Sequence, residues 1–356
     1  MLVNMKDYGF TQAEFSIAMD LQKEKNDLVV GRVIEHRRNL YKVVCEYGEK
    51  NAELKGSFFH NLTNSNEFPA VGDFVVIQHN NQGNSLITAV LPRRSIFSRS
   101  DFTRHNEEVV ASNFDYVFII SSLNRDFNIA RLARYLTASW QSGGFPIIVL
   151  TKSDICNDPG IHVAEAQKLA REAPVIPVSS KTGNGIENLQ PFLESGKTVV
   201  FLGSSGVGKS SLLNCLAGEE LMEAKSIREN DDRGRHTTSH RQLFRLHSGA
   251  LIIDTPGLRE LGLWDSNEGM SITFAEVEEF FSYCQFSNCT HQSEPGCAVQ
   301  AALKDGKITQ KQWTQYQKQQ RETAFIENNS EYNKEKNKLN KSIALFSKDL
   351  KKGNKK

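Results

Sequence analysis

The sequence predicts a multidomain chain: a small N-terminal β-barrel, a central α/β domain built around a glycine-rich loop, and a mainly helical, cysteine-rich C-terminal module. Three observations predict this arrangement. Short strand-like segments separated by turns fill the first part of the chain, a glycine-rich loop stands between a strand and a helix near residue 203, and three cysteines and a histidine cluster near residue 290. A length of 356 residues and an apolar fraction of 39% suit two to three domains with real cores.

The N-terminal part of the chain is typical of an OB-like barrel over residues 28–95. Residues 1–27 precede it and are expected to form a short amphipathic or poorly ordered extension. Barrels of this type bind irregular RNA through stacking aromatics and basic side chains. The strand-like segments are Leu28–Glu35, Leu40–Cys45, Asn51–Gly56, Asp73–Gln78 and Leu86–Leu91. The candidate RNA contacts are Arg32, His36, Arg37, Arg38, Tyr41, Phe58, Phe59 and His60. Alternatively, the phenylalanines belong to the barrel core.

The glycine-rich loop has the spacing G-x-x-x-x-G-K-S of a phosphate-binding loop. Its glycines let backbone N–H groups turn toward phosphates, its lysine reaches the β and γ oxygens, and its serine hydroxyl binds Mg²⁺. An apolar strand precedes it at 198–202, and a helix whose N-terminus faces the anion follows at 211–217. The candidate nucleotide-binding residues are Gly203, Ser204, Ser205, Gly206, Val207, Gly208, Lys209, Ser210 and Ser211, with Ser210 also a Mg²⁺ ligand.

Two further segments are predicted to bind a guanine base. An apolar strand delivers Thr151, Lys152, Ser153 and Asp154, and the carboxylate of Asp154 can accept hydrogen bonds from the N1–H and N2–H₂ edge that guanine has and adenine lacks. The Lys152 stem is expected to cover a face of the base. A later strand-to-loop segment, with Ser179, Ser180 and Lys181, resembles the element that supports the base through backbone N–H groups.

The remaining parts of a GTP site follow the phosphate loop. Asp254 ends an apolar run and can hold a Mg²⁺-bound water, while Gly257 can offer its N–H to the γ-phosphate. Thr238 lies in the intervening polar stretch, where a GTPase keeps the threonine that reaches Mg²⁺ and the γ-phosphate. Leu258 stands where Ras-like enzymes have the glutamine that orients the attacking water. Either His236 or a bound partner is expected to supply that function.

The order of these motifs predicts a circularly permuted GTPase over residues 96–268. The base motif precedes the phosphate loop, whereas the usual order is the reverse. A doubly wound sheet tolerates such rearrangement because its termini lie close in space. An ATPase is disfavoured by Asp154.

The C-terminal module, residues 269–330, contains a candidate metal site. Three thiolates and one imidazole within a short segment match the ligand set of a closed, structural Zn²⁺ site. Reduced buried cysteines with an unrelated histidine, or a disulfide pair, are the alternatives. The candidate ligands are Cys284, Cys289, His291 and Cys297.

Charge is distributed unevenly along the chain. The net charge is only +1, from 43 basic and 42 acidic residues. The tail, residues 331–356, nevertheless has nine lysines and three acidic residues, which favours an arm on RNA phosphates over a solvated helix. No segment predicts a membrane span or a signal peptide.

These motifs resemble the ribosome small-subunit-dependent GTPase A family, and the resemblance covers about residues 28–325. It implies a cytoplasmic factor in late maturation of the small ribosomal subunit, with GTP/GDP, Mg²⁺ and one Zn²⁺ as cofactors. The partners implied are that subunit and its rRNA, with no membrane or DNA partner and a monomeric state. Thr151 departs from the more frequent asparagine of the base motif. The alternative function is an rRNA-binding protein in which GTP is a structural ligand.

Overall fold

The computed structural model describes residues 2–22, 28–37, 40–62, 64–101, 106–124, 127–222, 241–254 and 267–324. The strands are β1 Leu28–Arg37, β2 Leu40–Cys45, β3 Gly48–Leu54, β4 Phe74–Gln78, β5 Ser85–Val90, β6 Ile96–Asp101, β7 Asn106–Ser112, β8 Tyr116–Ser122, β9 Phe145–Thr151, β10 Val175–Pro177, β11 Thr198–Leu202, β12 Arg241–Arg245 and β13 Leu251–Asp254. The helices are α1 Gln12–Gln22, α2 Gly56–Asn61, α3 Ile129–Gln141, α4 Pro159–Ala170, α5 Lys209–Ala217, α6 Asn267–Thr273, α7 Ala275–Glu278 and α8 Ala298–Lys304. A further helix runs through 310–324.

The chain divides into two compact units. The first comprises Met1–Arg99 and Glu107–Leu261, and the second comprises Ser100–Asn106 and Gly262–Lys356. Among the described residues, no helix is long and apolar enough to cross a membrane.

Strands β1 to β5 form the predicted barrel. Strand β1 pairs with both β2 and β4, β2 pairs with β3, and β5 joins β3 to β4, so the sheet closes on itself. Alternating apolar side chains from these strands point inward, and Val33, Val43, Val75, Ile77 and Ile87 are completely buried there. Because every strand has two neighbours, the barrel has no open edge of its own.

Residues 2–22, which belong to the expected N-terminal extension, pack against the barrel. A 3-10 turn at Met5–Tyr8 leads to α1. Phe10 is buried against Phe74 of β4 with ring centroids 5.3 Å apart, and Ala18 of α1 joins the same cluster. The apolar area that Phe10 and Ala18 remove from water stabilises the docked segment.

Strands β8 to β13 form the central sheet of the α/β domain. Their spatial order is β10-β9-β8-β11-β13-β12, and all neighbours are parallel except β12 and β13. Strand β11 is buried along its whole length, as expected for the middle of a sheet covered on both faces. Separate apolar clusters lie on the two faces, one including Leu136 of α3 and the other Leu212 of α5. Parallel strands therefore deliver their carboxyl ends to one edge, where α/β folds bind ligands.

The barrel and the central sheet are hydrogen-bonded to each other. Strand β1 pairs antiparallel with β12, with Glu35 opposite Gln242 and His36 opposite Arg241. On its other side, Gln242 is opposite Asp254 of β13. The eleven strands thus form one continuous sheet.

Arg32 of β1 is completely buried at this contact. Its guanidinium donates hydrogen bonds to Gly72 O at 3.1 Å, Tyr8 O at 2.6 Å, Asn113 O at 2.8 Å and Thr198 Oγ1 at 2.9 Å. Burial lowers the pKa of Arg32 to about 9, so the side chain is still protonated at neutral pH. The prediction that Arg32 contacts RNA is therefore wrong, because no part of the side chain reaches the surface.

The other candidate RNA contacts of the barrel differ in how exposed their side chains are. Tyr41 is 3% exposed and stacks on His36, with ring centroids 4.4 Å apart, so Tyr41 is also a core residue rather than an RNA contact. Phe58 packs against the barrel core, whereas Phe59 is half exposed. Arg37 is exposed. Arg38 and the side chain of His60 lie outside the described residues.

The second unit contains a small aromatic core. The rings of Phe274, Phe281 and Trp313 each lie 5.6 Å from that of Tyr316. Trp313 and Tyr316 come from the helix at 310–324 and are buried. These rings occupy one face of a helix that is otherwise polar.

Candidate nucleotide and metal sites

The phosphate loop connects β11 to α5 at the carboxyl edge of the sheet. A Cβ at Gly203 would collide with the carbonyl oxygen of Ile120, so only glycine lets the loop begin this close to β8. Gly206 and Gly208 have positive φ angles of 79° and 97°, which a side chain disfavours. Lys209 Nζ donates to Gly203 O at 2.7 Å and to the next carbonyl at 2.6 Å. The ammonium group thus sits on the concave side of the loop.

Side chains of the base motif donate hydrogen bonds directly to this loop. Thr151 is the last residue of β9, and its hydroxyl donates to Val207 O. Lys152 adopts a left-handed conformation with φ 59°, and its Nζ donates to Gly206 O at 2.8 Å. The hydroxyl of Thr151 therefore links the base motif to the phosphate loop. Threonine replaces the more frequent asparagine of the motif here, but this departure did not predict the contact.

Asp154 is positioned by the segment that the sequence predicts as its support. Ser179 Oγ donates to Asp154 Oδ1 at 2.8 Å, and Ser153 N donates to Val178 O at 3.1 Å. Ser179 is buried, so its hydroxyl has a fixed position. Ser180 is half-buried and Lys181 is exposed in the turn that follows. The hydrogen bond from Ser179 thereby holds the carboxylate of Asp154 in place.

Asp254 ends β13 beside the phosphate loop. It is 7% exposed and lies opposite Phe201 of β11 in the parallel pairing. Ser210 is in the first turn of α5. These two residues belong to neighbouring elements at the same sheet edge. Thr238, His236, Gly257 and Leu258 lie outside the described residues.

One contact at the loop has no counterpart in the sequence motifs. Arg131 Nη1, from the first turn of α3, donates to Ser204 Oγ at 2.7 Å. Helix α3 follows β8, and β8 lies beside β11, the strand that leads into the phosphate loop. This position in the fold is the one signal that could have indicated that α3 begins near the loop.

The second unit brings the four candidate metal ligands together. The ligand atoms of Cys284, Cys289, His291 and Cys297 all lie within 4.8 Å of one another. His291 Nδ1 is 3.5 Å from Cys284 Sγ and 3.7 Å from Cys297 Sγ. Tetrahedral Zn²⁺ with Zn–S bonds of 2.3 Å separates its sulfur ligands by about 3.8 Å. The cluster therefore has the donor types and spacing that fit a tetrahedral metal ion.

The loop that carries these ligands is held by other side chains. Glu294 accepts hydrogen bonds from Thr290 N at 2.8 Å, Gln292 N at 3.0 Å and Ser293 N at 3.1 Å. Hydrogen bonds from Thr290, led by its hydroxyl, lower the pKa of Glu294 to about 2. The ring of His291 stacks on Phe281, with centroids 4.3 Å apart. The imidazole is thus oriented by packing as well as by its loop.

The arrangement of the nucleotide site defines a class of protein. The strand before the base motif, the strand before the phosphate loop and the strand that ends at Asp254 are adjacent or nearly adjacent in the sheet. Along the chain, however, the base motif comes first. The molecule is a circularly permuted GTPase.

Comparisons with known proteins identify the family. The family model described as RsgA GTPase matches residues 90–264, and the model described as 50S ribosome-binding GTPase matches residues 198–340. The chain is 43% identical over 325 residues to Small ribosomal subunit biogenesis GTPase RsgA 2 of Lactiplantibacillus plantarum, covering 91% of each chain. It is 45% identical over 322 residues to RsgA 1 of Listeria innocua, covering 90% of each. The chain belongs to the RsgA GTPase family.

Solved structures agree with this assignment. The chain resembles the crystal structure of YjeQ from Thermotoga maritima with a TM-score of 0.60 and 27% identity, covering 82% of this chain and 96% of that one. It also resembles YloQ, described as a circularly permuted GTPase, with a TM-score of 0.58 and 26% identity, covering 83% and 95%. The predicted fold class is confirmed.

Proposed function

We propose that this GTPase acts in late maturation of the small ribosomal subunit and that its nucleotide state controls its association with the subunit's rRNA. The observation that carries the proposal is the convergence of the base motif, the phosphate loop and Asp254 at one sheet edge. The names of its relatives supply the ribosomal context. We place its action in the cytoplasm as a monomer.

Each residue of the nucleotide site has a proposed role. Asp154 accepts hydrogen bonds from guanine, and Lys209 leaves the loop carbonyls for the β and γ oxygens. Mg²⁺, held by Ser210 and Thr238, neutralises charge on the phosphates. Asp254 holds a water on that ion, and Gly257 offers its N–H to the γ-phosphate.

The water-positioning group is a separate proposal. Leu258 has no polar atom with which to orient water, so His236 or a group of the ribosome takes this role. Slow intrinsic hydrolysis with strong stimulation by the subunit is the expected consequence.

RNA binding is assigned to three parts of the chain. The barrel at 28–95 offers the exposed Phe59 ring and Arg37, and the module at 269–330 is stabilised by one Zn²⁺ on its three cysteines and histidine. The lysine-rich tail at 331–356 adds phosphate contacts. These boundaries, and that of the GTPase domain at 96–268, are part of the proposal.

A turnover assay tests the function. GTP hydrolysis is measured alone, with purified small subunits and with purified large subunits, at one fixed salt concentration. We expect stimulation by the small subunit only. Because one matching family model is described as binding the 50S ribosome, stimulation by the large subunit alone would reassign the partner.

The same assay separates the alternative function. If GTP is only a structural ligand of an rRNA-binding protein, neither subunit changes the turnover rate. Lys209→Ala serves as the blank, since it removes the side-chain charge that faces the β and γ oxygens.

A further inference from the structure

Two cationic side chains converge on one residue of the phosphate loop. Arg131 Nη1 donates to the hydroxyl of Ser204, and Lys209 Nζ donates to its carbonyl oxygen at 2.6 Å. The arginine comes from α3, which lies far from the loop in the sequence, whereas the lysine belongs to the loop itself. Ser204 thus accepts one hydrogen bond from Arg131, outside the loop, and one from Lys209, within the loop.

The two contacts differ in what nucleotide binding does to them. A phosphate loop uses its lysine on the β and γ oxygens, so the lysine must leave the carbonyls of Gly203 and Ser204 when nucleotide enters. The bond from Arg131 reaches the serine side chain and does not compete with phosphate for the same atom. It is the contact that can keep Ser204 in place after Lys209 has moved.

The position of the arginine in its helix is electrostatically unfavourable. Asn128 caps α3 by accepting a hydrogen bond from Arg131 N, which places the arginine within the first helical turn. The positive end of the helix dipole repels a cation there. The bond to Ser204 offsets part of this cost, because hydrogen bonds from a charged donor are stronger than neutral ones.

We propose that Arg131 is a positioning residue of the phosphate loop, which it holds in the nucleotide-accepting shape through the hydroxyl of Ser204. The inference rests on the nucleotide site proposed above. Gly203 is already fixed against the end of β8, so the arginine contact extends this anchoring by one residue. Both GTP and GDP benefit, since the loop binds phosphates that the two nucleotides share.

The test is a double-mutant cycle on the full-length protein. Fluorescent GDP and a non-hydrolysable GTP analogue are titrated against wild type, Arg131→Met, Ser204→Ala and the double variant. Losing one charge-assisted hydrogen bond lowers affinity about tenfold, and we expect this loss in each single variant. The double variant is expected to lose clearly less than the sum of the two single losses, because both changes remove the bond between Arg131 and Ser204.

Two controls test whether a loss of affinity comes from a general loss of charge or from a loss of stability. Lys168→Met removes the same charge from an exposed position of α4 and should leave both affinities unchanged. Thermal unfolding without nucleotide should change little in Arg131→Met. In turnover, the Michaelis constant for GTP should rise about tenfold while the maximal rate stays within about twofold.

Several outcomes would overturn the inference. They are unchanged affinity in Arg131→Met or in Ser204→Ala, additive losses in the double variant, or a large drop in thermal stability without loss of affinity. Failure of the nucleotide site itself has a different signature, since Lys209→Ala would then bind GTP normally.

Discussion

Replacing Arg32 by methionine should destabilise the first unit strongly while leaving the exposed surface of the barrel unchanged. Methionine fills much of the same volume but has no donor. The change leaves Tyr8 O, Asn113 O and Thr198 Oγ1 without the guanidinium that now reaches them, whereas Gly72 O retains a bond from Asn113 Nδ2 at 3.2 Å. Four acceptors therefore lose a bond from a charged donor, and of these Gly72 O keeps another donor.

The expected loss follows from two opposing terms. A buried acceptor without a partner costs about 1–3 kcal/mol, which for three acceptors gives roughly 3–9 kcal/mol. Removing a completely buried cation relieves several kcal/mol of desolvation cost. We expect the hydrogen-bond term to be larger, because all three guanidinium nitrogens have acceptors and these bonds already offset much of the desolvation cost. We expect a net loss of about 3–5 kcal/mol in the free energy of unfolding.

Chemical denaturation followed by circular dichroism measures this loss. Lys168→Met is the control in the same unit, since that side chain is exposed on α4, and it should stay within about 0.5 kcal/mol of wild type. A loss below about 1 kcal/mol in Arg32→Met would refute the reasoning. Reduced RNA affinity in fully folded Arg32→Met protein would restore the original prediction of an RNA contact.

Three other perturbations test the sites. Asp154→Asn should shift preference from GTP toward xanthosine triphosphate, because the amide can donate to the oxygen that replaces N2–H₂; competition binding with both nucleotides measures it, and an unchanged preference contradicts the role. Removing metal with a chelator should unfold the second unit and spare nucleotide affinity, since such binding energy is largely folding energy; metal analysis that finds no zinc, with Cys156→Ser as control, would contradict the site. Exchanging GDP for a GTP analogue should alter amide hydrogen exchange in β12 and in Glu35–Arg37 of β1; identical exchange, or an effect that persists in Lys209→Ala, would contradict coupling through this pairing.

The sequence predicted those parts of the fold that depend on local patterns. The phosphate loop needs glycines at fixed positions, because Gly206 and Gly208 have positive φ angles and a Cβ at Gly203 would collide with Ile120 O. The barrel strands were predicted because apolar side chains alternate along them, although β3 begins at Gly48, before the predicted start. Asp154 was predicted because it follows the buried strand β9, and its support because it follows the short strand β10.

Contacts between distant segments could not be predicted in this way. Arg32 looks like a surface residue in the sequence, because its partners Tyr8, Asn113 and Thr198 are up to 166 positions away. Phe10 gives no signal of docking until the face of β4 that receives it is known. Arg131 belongs to no motif, and its contact depends on α3 beginning beside the loop.

The pairing between β12 and β1 connects the barrel to the strand that ends at Asp254. Glu35, Gln242 and Asp254 lie in one row across three strands, from the barrel to the end of β13. Main-chain hydrogen bonds along such a row resist separation, so a displacement of β13 or β12 is carried into β1. The segment 223–240, which contains Thr238, immediately precedes β12 in the chain. We propose that the γ-phosphate, through Thr238, acts on β12, the strand that pairs with β1, and so couples the barrel to the nucleotide.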